Sequence, residues 1–168
     1  MPATYSTHGK KAEALNCAIF LDRDGTIIVD KGYLSDPKGI ELIQGILPIL
    51  RKLQDAGFLL VMVSNQSGIG RGYFTEKDYV KVQEHLDELL ESNGIKFAGY
   101  YHCPHSPDDN CMCRKPKVKM ALEAAKELDI SLSESYMVGD KESDIEFGYN
   151  FGAKACFYSA HELLEQLA

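Results

Sequence analysis

A short apolar run, Cys17-Ala18-Ile19-Phe20-Leu21, stops abruptly at Asp22-Arg23-Asp24-Gly25-Thr26. An uninterrupted run of this length reads as a parallel strand covered on both faces. The two carboxylates at its end lie on one side if the chain stays extended, because side chains alternate along a strand. Held that close they repel, and both stay ionised only beside a positive charge, for which a divalent cation is the simplest candidate. Asp-Gly alone is an ordinary turn dipeptide, so the weight of this junction depends on what recurs downstream.

The pattern recurs twice. Phe58-Leu59-Leu60-Val61-Met62-Val63 runs into Ser64-Asn65-Gln66-Ser67-Gly68-Ile69-Gly70-Arg71-Gly72, a polar, glycine-rich loop, and Ser135-Tyr136-Met137-Val138 runs into Gly139-Asp140-Lys141-Glu142-Ser143-Asp144. Two further strands are predicted over Phe97–His102 and Ala153–Tyr158. Helical spacing predicts a helix from about Gly45 to Ala56 with Ile46, Leu50 and Leu53 inward, and one capped by Thr75 and running to Asn93 with Tyr79, Val82, Leu86 and Leu89 inward. A third runs from Val118 to Leu128 with Leu122, Ala125 and Leu128 inward, a short one carries Ile145 and Tyr149 to Gly152, and Ser159-Ala160-His161-Glu162 reads as a capping box for a C-terminal helix. Strands alternating with helices predict an α/β fold, a three-layer α/β/α Rossmann-like parallel sheet formed as one domain over 17–168, behind a loosely held leader of residues 1–16. In such sheets the site lies beyond the carboxyl ends of the strands, where Asp22, Asp24, Ser64, Asn65 and Asp140 converge.

These residue types suit phosphoryl transfer. Asp22, Asp24 and Asp140 can hold one Mg²⁺ through hard oxygen ligands. Asp22 is then placed to attack phosphorus and form an aspartyl-phosphate. Asp24 protonates the leaving alcohol and later deprotonates the water that hydrolyses the intermediate. Ser64, Asn65 and nearby backbone N–H groups supply neutral donors to the transferring group, and Lys115, in Arg114-Lys115-Pro116, supplies a positive one.

Of the five cysteines, three fall in the loop Cys103-Pro-His105…Cys111-Met-Cys113. Three thiols and an imidazole are the right number and chemistry for a closed, structural Zn²⁺ site. A zinc anchor there pins the loop so that Lys115 reaches the phosphate in fixed geometry.

Composition narrows the partners. A net charge of -7 with no basic run disfavours nucleic acid, polynucleotide ends included. No apolar run approaches the ~20 residues that span a bilayer, and the first residues have no apolar core of a signal peptide, so no membrane partner and a cytoplasmic location are expected. A monomer is expected.

Four segments in order, Asp22-Arg23-Asp24-Gly25-Thr26, Ser64-Asn65, Lys115-Pro116 and Gly139–Asp144, resemble the haloacid dehalogenase (HAD) superfamily of phosphotransferases. The resemblance implies an HAD-like fold and a phosphatase, with Asp22 as nucleophile, Asp24 as general acid/base, Ser64 and Lys115 on the phosphoryl group and Asp140 on Mg²⁺. Asp144 matches a further acidic position, with a role in orienting Lys115 or the metal waters. Neither the segment between Asp24 and Ser64 nor that between Ser67 and Lys115 has room for the separate cap domain many members carry, so loops must read the substrate. The zinc loop is similar to that of two cap-free groups, one acting on a small phosphorylated sugar, a heptose bisphosphate, and the other on histidinol phosphate. The heptose group is the better match through Val29–Tyr33, Ser64–Gly72 and Tyr136–Lys141, which implies substrate contacts from Asp30, Lys31, Gly32, Tyr33, Ser64, Asn65, Gln66, Ser67, Arg114, Lys115 and Lys141. The five residues between His105 and Cys111 are closer to the histidinol group. A phospho-aspartate receiver is the non-enzymatic alternative, and Asp24 speaks against it.

Overall fold

A computed structural model of the chain describes residues 15–153 and 155–157. Five strands form one sheet, in the order β3-β2-β1-β4-β5: β1 (Ala18–Leu21), β2 (Leu59–Asn65), β3 (Gly99–Cys103), β4 (Tyr136–Val138) and β5 (Ala155–Phe157). Every pairing is parallel. The predicted capping box at 159–162 and the leader's residues 1–14 lie outside the described residues. Asn16, the last residue of the expected leader, is already tied in, bridging Ile130 and donating from its side chain to the Leu128 carbonyl.

Alternation along the inner strands explains why they read as unbroken apolar runs. Ile19, Leu21, Leu60, Met62 and Val138 face one side, against α1 (Ile46–Asp55) and α3 (Glu76–Ser92). Ala18, Phe20, Val61, Val63 and Met137 face the other, against α4 (Lys119–Leu128) and α5 (Glu142–Asn150). Both faces are therefore dry, and each such side chain contributes roughly 1.5–3 kcal/mol by leaving water. The expected three-layer sheet is present, and among the described residues no separate cap domain interrupts it. No helix among them is long and apolar enough to cross a membrane.

The inward helix faces depart from the sequence reading. Leu122 is 54 % exposed, and α4 packs instead through Met120, Ala121 and Ala124. Small residues let the helix lie close to β2 and β3, so its buried stripe includes alanines that a search for leucines passes over. On α3 the stripe continues from Leu86 to Leu90 rather than Leu89, and on α5 Phe147 and Gly148 are buried while Tyr149 faces solvent. The β2 strand runs two residues further than expected, and the glycine-rich stretch begins as a one-turn helix, α2 (Ser67–Gly70).

Candidate active site

The ends of the three inner strands meet. Beyond β1, the Asp22 N–H still donates to the Val138 carbonyl (3.0 Å), which keeps Asp22 in the plane of the sheet beside β4. Beyond β4 the chain turns through Asp140 into α5, which returns Asp144 toward the strand ends. Ligand oxygens of Asp22, Asp140 and Asp144 all lie within 4.8 Å of one another. Two glycines make this approach possible. A Cβ on Gly25, whose φ is +89°, would fall 2.1 Å from Asp140 Oδ2, and one on Gly139 would fall 2.2 Å from Asp144 Cβ.

Lys115 enters the cluster from the side. Its Nζ donates to Asp22 Oδ1 (2.8 Å), Asp144 Oδ1 (2.7 Å) and the Val63 carbonyl (2.9 Å), and it is buried. All three N–H groups are thus used within the protein, so Lys115 offers a phosphate its charge rather than a free donor. Burial pushes the Lys115 ammonium down, but Asp22 and Asp144 outweigh it and hold it above the ordinary lysine range. Burial also raises the Asp22 carboxyl; Lys115 opposes that rise and Asp144 adds to it. The Asp140 carboxyl is pushed up to about 6, first by burial and then by the charge of Asp22. Three clustered carboxyl groups, with Asp22 and Asp140 both raised, have one ammonium between them and are short of positive charge, which fits a divalent cation at this cluster.

The carboxylates gathered in this cluster differ from the expected trio at one position. The Asp24 carboxylate is outside this cluster: its oxygens accept from Arg23 Nε (3.1 Å) and Nη2 (3.2 Å) and from Gln66 Nε2 (2.9 Å). The chain turns immediately after β1, with the Gly25 N–H on the Ile28 carbonyl and Asp24 bridged to Ile28, so the alternation assumed for an extended strand no longer applies. Asp144 takes the third place. Asn65 is tied to the lysine. Its Oδ1 accepts the Lys115 backbone N–H (2.9 Å) and its Nδ2 donates to the Lys115 carbonyl (3.3 Å), so its amide clamps the lysine. Ser64 Oγ is buried, accepts from Gln66 Nε2 (3.1 Å) and also hydrogen-bonds the Tyr79 phenol.

A cleft of ≈ 320 Å³ opens over Asp24 and is lined by Asp30, Gly32, Tyr33, Asn65, Gln66 and Ser67, with Arg114 and Lys141 also on its wall. Gly68 and Ser143 complete it; neither is among the expected contacts, although both stand inside segments that the sequence pattern marks out. Ser64 and Lys115 lie below, toward the acid cluster. Lys31 is not part of the lining; its ammonium pairs with Glu41 (2.7 Å) in solvent. Arg71 reaches Ser67 Oγ (3.4 Å) and is likewise outside the lining. At the rim, Tyr33 meets Tyr73 edge-on with ring centroids 4.6 Å apart.

Cys103, His105, Cys111 and Cys113 converge beside this cleft. Cys103 Sγ lies 3.5 Å from His105 Nδ1, 3.5 Å from Cys111 Sγ and 2.6 Å from Cys113 Sγ, and His105 Nδ1 lies 3.2 Å from Cys113 Sγ. Four soft donors this close match a closed tetrahedral site. Burial acts to raise the Cys111 thiol, but hydrogen bonds from the Arg114 and Cys113 backbone and from Cys103 outweigh it and bring it to about 6, toward the thiolate a metal needs. The loop is sewn to α2 as well: the Gly70 N–H donates to the Pro104 carbonyl (2.7 Å), and a Cβ at Gly70 would lie 2.7 Å from the Ser106 nitrogen.

Residues 112–161 match the HAD-hydrolase-like family model. The chain is 47% identical over 140 residues, 83% of its length and 80% of the other's, to a D-glycero-beta-D-manno-heptose-1,7-bisphosphate 7-phosphatase of Helicobacter pylori. It is 44% identical over 146 residues to the protein of that name from Yersinia pestis, covering 82% and 78% of the two chains. Among solved structures it is similar to the D,D-heptose 1,7-bisphosphate phosphatase of B. bronchiseptica complexed with magnesium and phosphate, with a TM-score of 0.78, 28% identity and coverage of 89% and 86%.

Proposed function

We propose that this chain, which belongs to the HAD-like hydrolase family, removes the 7-phosphate of D-glycero-D-manno-heptose 1,7-bisphosphate, a small phosphorylated sugar, in a Mg²⁺-dependent reaction. The observation that carries the reading is the Asp22–Lys115–Asp144 contact beside Asp140 at the floor of a polar cleft. It supports the reading because a carboxylate able to attack, a counter-charge and oxygens able to hold a hard cation lie at one point. The relatives named for this activity support the substrate, and their names specify the beta anomer. The cleft wall supports an anionic substrate: Arg114 Nη1 is buried without a hydrogen-bond partner, and Lys141 stands on the same wall.

In this reading Lys115 fixes the Asp22 carboxylate through Oδ1, and Asp22 attacks phosphorus as the bond to the sugar oxygen breaks. Asp24 passes a proton to that oxygen, then takes one from the water that attacks phosphorus and releases Asp22. Ser64 donates to a phosphoryl oxygen, and Asn65 keeps Lys115 in place through its backbone. Mg²⁺, when bound by Asp22, Asp140 and Asp144, supplies positive charge to the phosphoryl oxygens and to these carboxylates. Zn²⁺ in the four-residue loop is structural, since four protein ligands leave no open position. The protein acts as a cytoplasmic monomer.

The test is phosphate release from both anomers of the heptose bisphosphate, from fructose bisphosphate and from histidinol phosphate, with and without Mg²⁺. Expected is Mg²⁺-dependent turnover that is fastest with the heptose. Faster turnover of histidinol phosphate would overturn the substrate, and a stable phosphorylated form without release would return the receiver reading.

A further inference from the structure

Arg23 is the largest fully buried side chain in the molecule's described part, 1 % exposed between two aspartates of the nucleophile turn. Nothing in phosphoryl transfer requires a buried arginine there, and it does not line the cleft. Its guanidinium is spent on one neighbour: Nε and Nη2 each donate to a different oxygen of Asp24 (3.1 and 3.2 Å). The remaining arm, Nη1, reaches Gln83 Oε1 of α3 at 3.4 Å, and the guanidinium carbon lies 5.5 Å from the centre of the Tyr79 ring, also on α3. Burial pushes the Tyr79 phenol up to about 12, so the ring stays neutral beside the cation. Gln66 Nε2 donates to the same Asp24 Oδ2 that Arg23 Nε contacts (2.9 Å) and also reaches Ser64 Oγ (3.1 Å).

We infer that Arg23 and Gln66 are positioning residues that bracket Asp24 and hold it for proton transfer in both halves of the reaction. The inference rests on the aspartyl-phosphate reading above and assigns these two side chains a task within it. The two arms differ in chemistry. Arg23 offers only donors, and its two-point contact sets the plane of the Asp24 carboxyl group that must both give and take the proton. Gln66 has a donor and an acceptor at the end of one planar amide. Turned by half a rotation it presents Oε1 to a protonated Asp24, and the Ser64 hydroxyl can rotate its hydrogen to match. Gln66 can therefore keep its contact with Asp24 in either proton state, while the proton that moves is the one Asp24 shares with the sugar oxygen or with water. The proton balance closes on Asp24: it leaves to the departing alcohol as the phosphorus–oxygen bond breaks, and returns from water as the new bond to phosphorus forms and the bond to Asp22 breaks. Fixing a proton carrier in this way matters because a general acid works only within hydrogen-bond reach and in the right plane.

The experiment measures kcat/KM for ring-substituted phenyl phosphates, from nitrophenyl to methoxyphenyl, in wild-type protein, Arg23→Lys and Gln66→Met. These esters have nearly one shape and differ in how much the departing oxygen needs a proton. kcat/KM reports the steps up to that departure and so isolates the acid role. Wild-type rates are expected to vary little along the series. Both variants are expected to lose increasingly more as the leaving group becomes more basic, by up to about 10²-fold at the methoxyphenyl end relative to the nitrophenyl end. A purely structural defect, or a lost substrate contact, lowers all members together. An unchanged slope in a folded variant overturns the inference; Gln66→Met, at a cleft-facing position, supplies that result if Arg23→Lys fails to fold. Absence of wild-type turnover on every ester would instead remove the phosphatase reading, and the bracket with it.

Discussion

The molecule carries two clusters of potential metal ligands, and they are built in opposite ways. Asp22 and Asp140 follow the ends of central strands and Asp144 stands on the first turn of α5; all three offer hard oxygens, and the buried pair Asp22 and Asp144 share a buried ammonium. Cys103, His105, Cys111 and Cys113 are soft donors on the connection that leaves the edge strand β3, with His105 exposed. The first set leaves coordination positions for substrate and water; the second fills a tetrahedron by itself. One is made for chemistry and the other for shape. Lys115 joins them: its backbone is two residues from Cys113 and clamped by Asn65, and its Nζ ends on Asp22 and Asp144. A loop that brings four soft donors together is thus tied to the strand ends through Lys115.

That contrast can be broken or sharpened by experiment. The largest effect should come from Asp22→Asn, which removes the attacking group: turnover should fall by about 10⁴-fold or more with an unchanged melting profile. Retained phosphate release in this variant would end the nucleophile assignment. Next is Lys115→Met, which leaves Asp22 and Asp144 buried without their shared cation. Besides lost activity, denaturant unfolding without Mg²⁺ should show a destabilisation of about 3–5 kcal/mol. Cys113→Ser acts on the other cluster. It should abolish zinc retention and lower kcat by about tenfold through the Lys115 geometry, while calorimetric Mg²⁺ affinity stays near wild type because none of the oxygen ligands is touched. Equal loss of Mg²⁺ affinity would mean the two clusters are not separable. The smallest effect is a pH dependence. Because the Asp140 carboxyl sits at about 6 in the metal-free protein, protons compete with Mg²⁺ below that value. Affinity should fall about tenfold for each unit of pH below 6 and level off above it; a flat profile from pH 5 to 7 would remove Asp140 from the ligand set.

Much of this was legible before any coordinates. The three inner strands announce themselves because both faces are buried, so Ile19 and Phe20, or Met62 and Val63, are all apolar and the polar stop is sharp. The acid cluster follows from those stops. What was hidden lies where local pattern and tertiary direction part. Leu122 satisfies helical spacing but loses its place to Ala121 and Ala124, whose small size matters only against a sheet. Asp24 alternates correctly with Asp22, yet a turn redirects it to Arg23 and Gln66. Asn65 reads as a phosphate donor, and only the approach of Lys115 from another part of the chain shows that its amide is occupied. Arg23 gave no signal except its position, since nothing in the sequence says which charges are buried.

The parallel pairing of β1 has a consequence for how the protein is made. β1 sits between β2 and β4, and Ala18 is joined to Ser135 across 117 positions of sequence. Asp22 emerges early from a ribosome, whereas Asp140 and Asp144 come only with the last strands. Pairing of such distant segments is slow and is completed late in folding. A half-folded chain therefore carries Asp22 without the carboxylates that surround it, and the acid cluster is complete only when β4 and the start of α5 have docked beside β1.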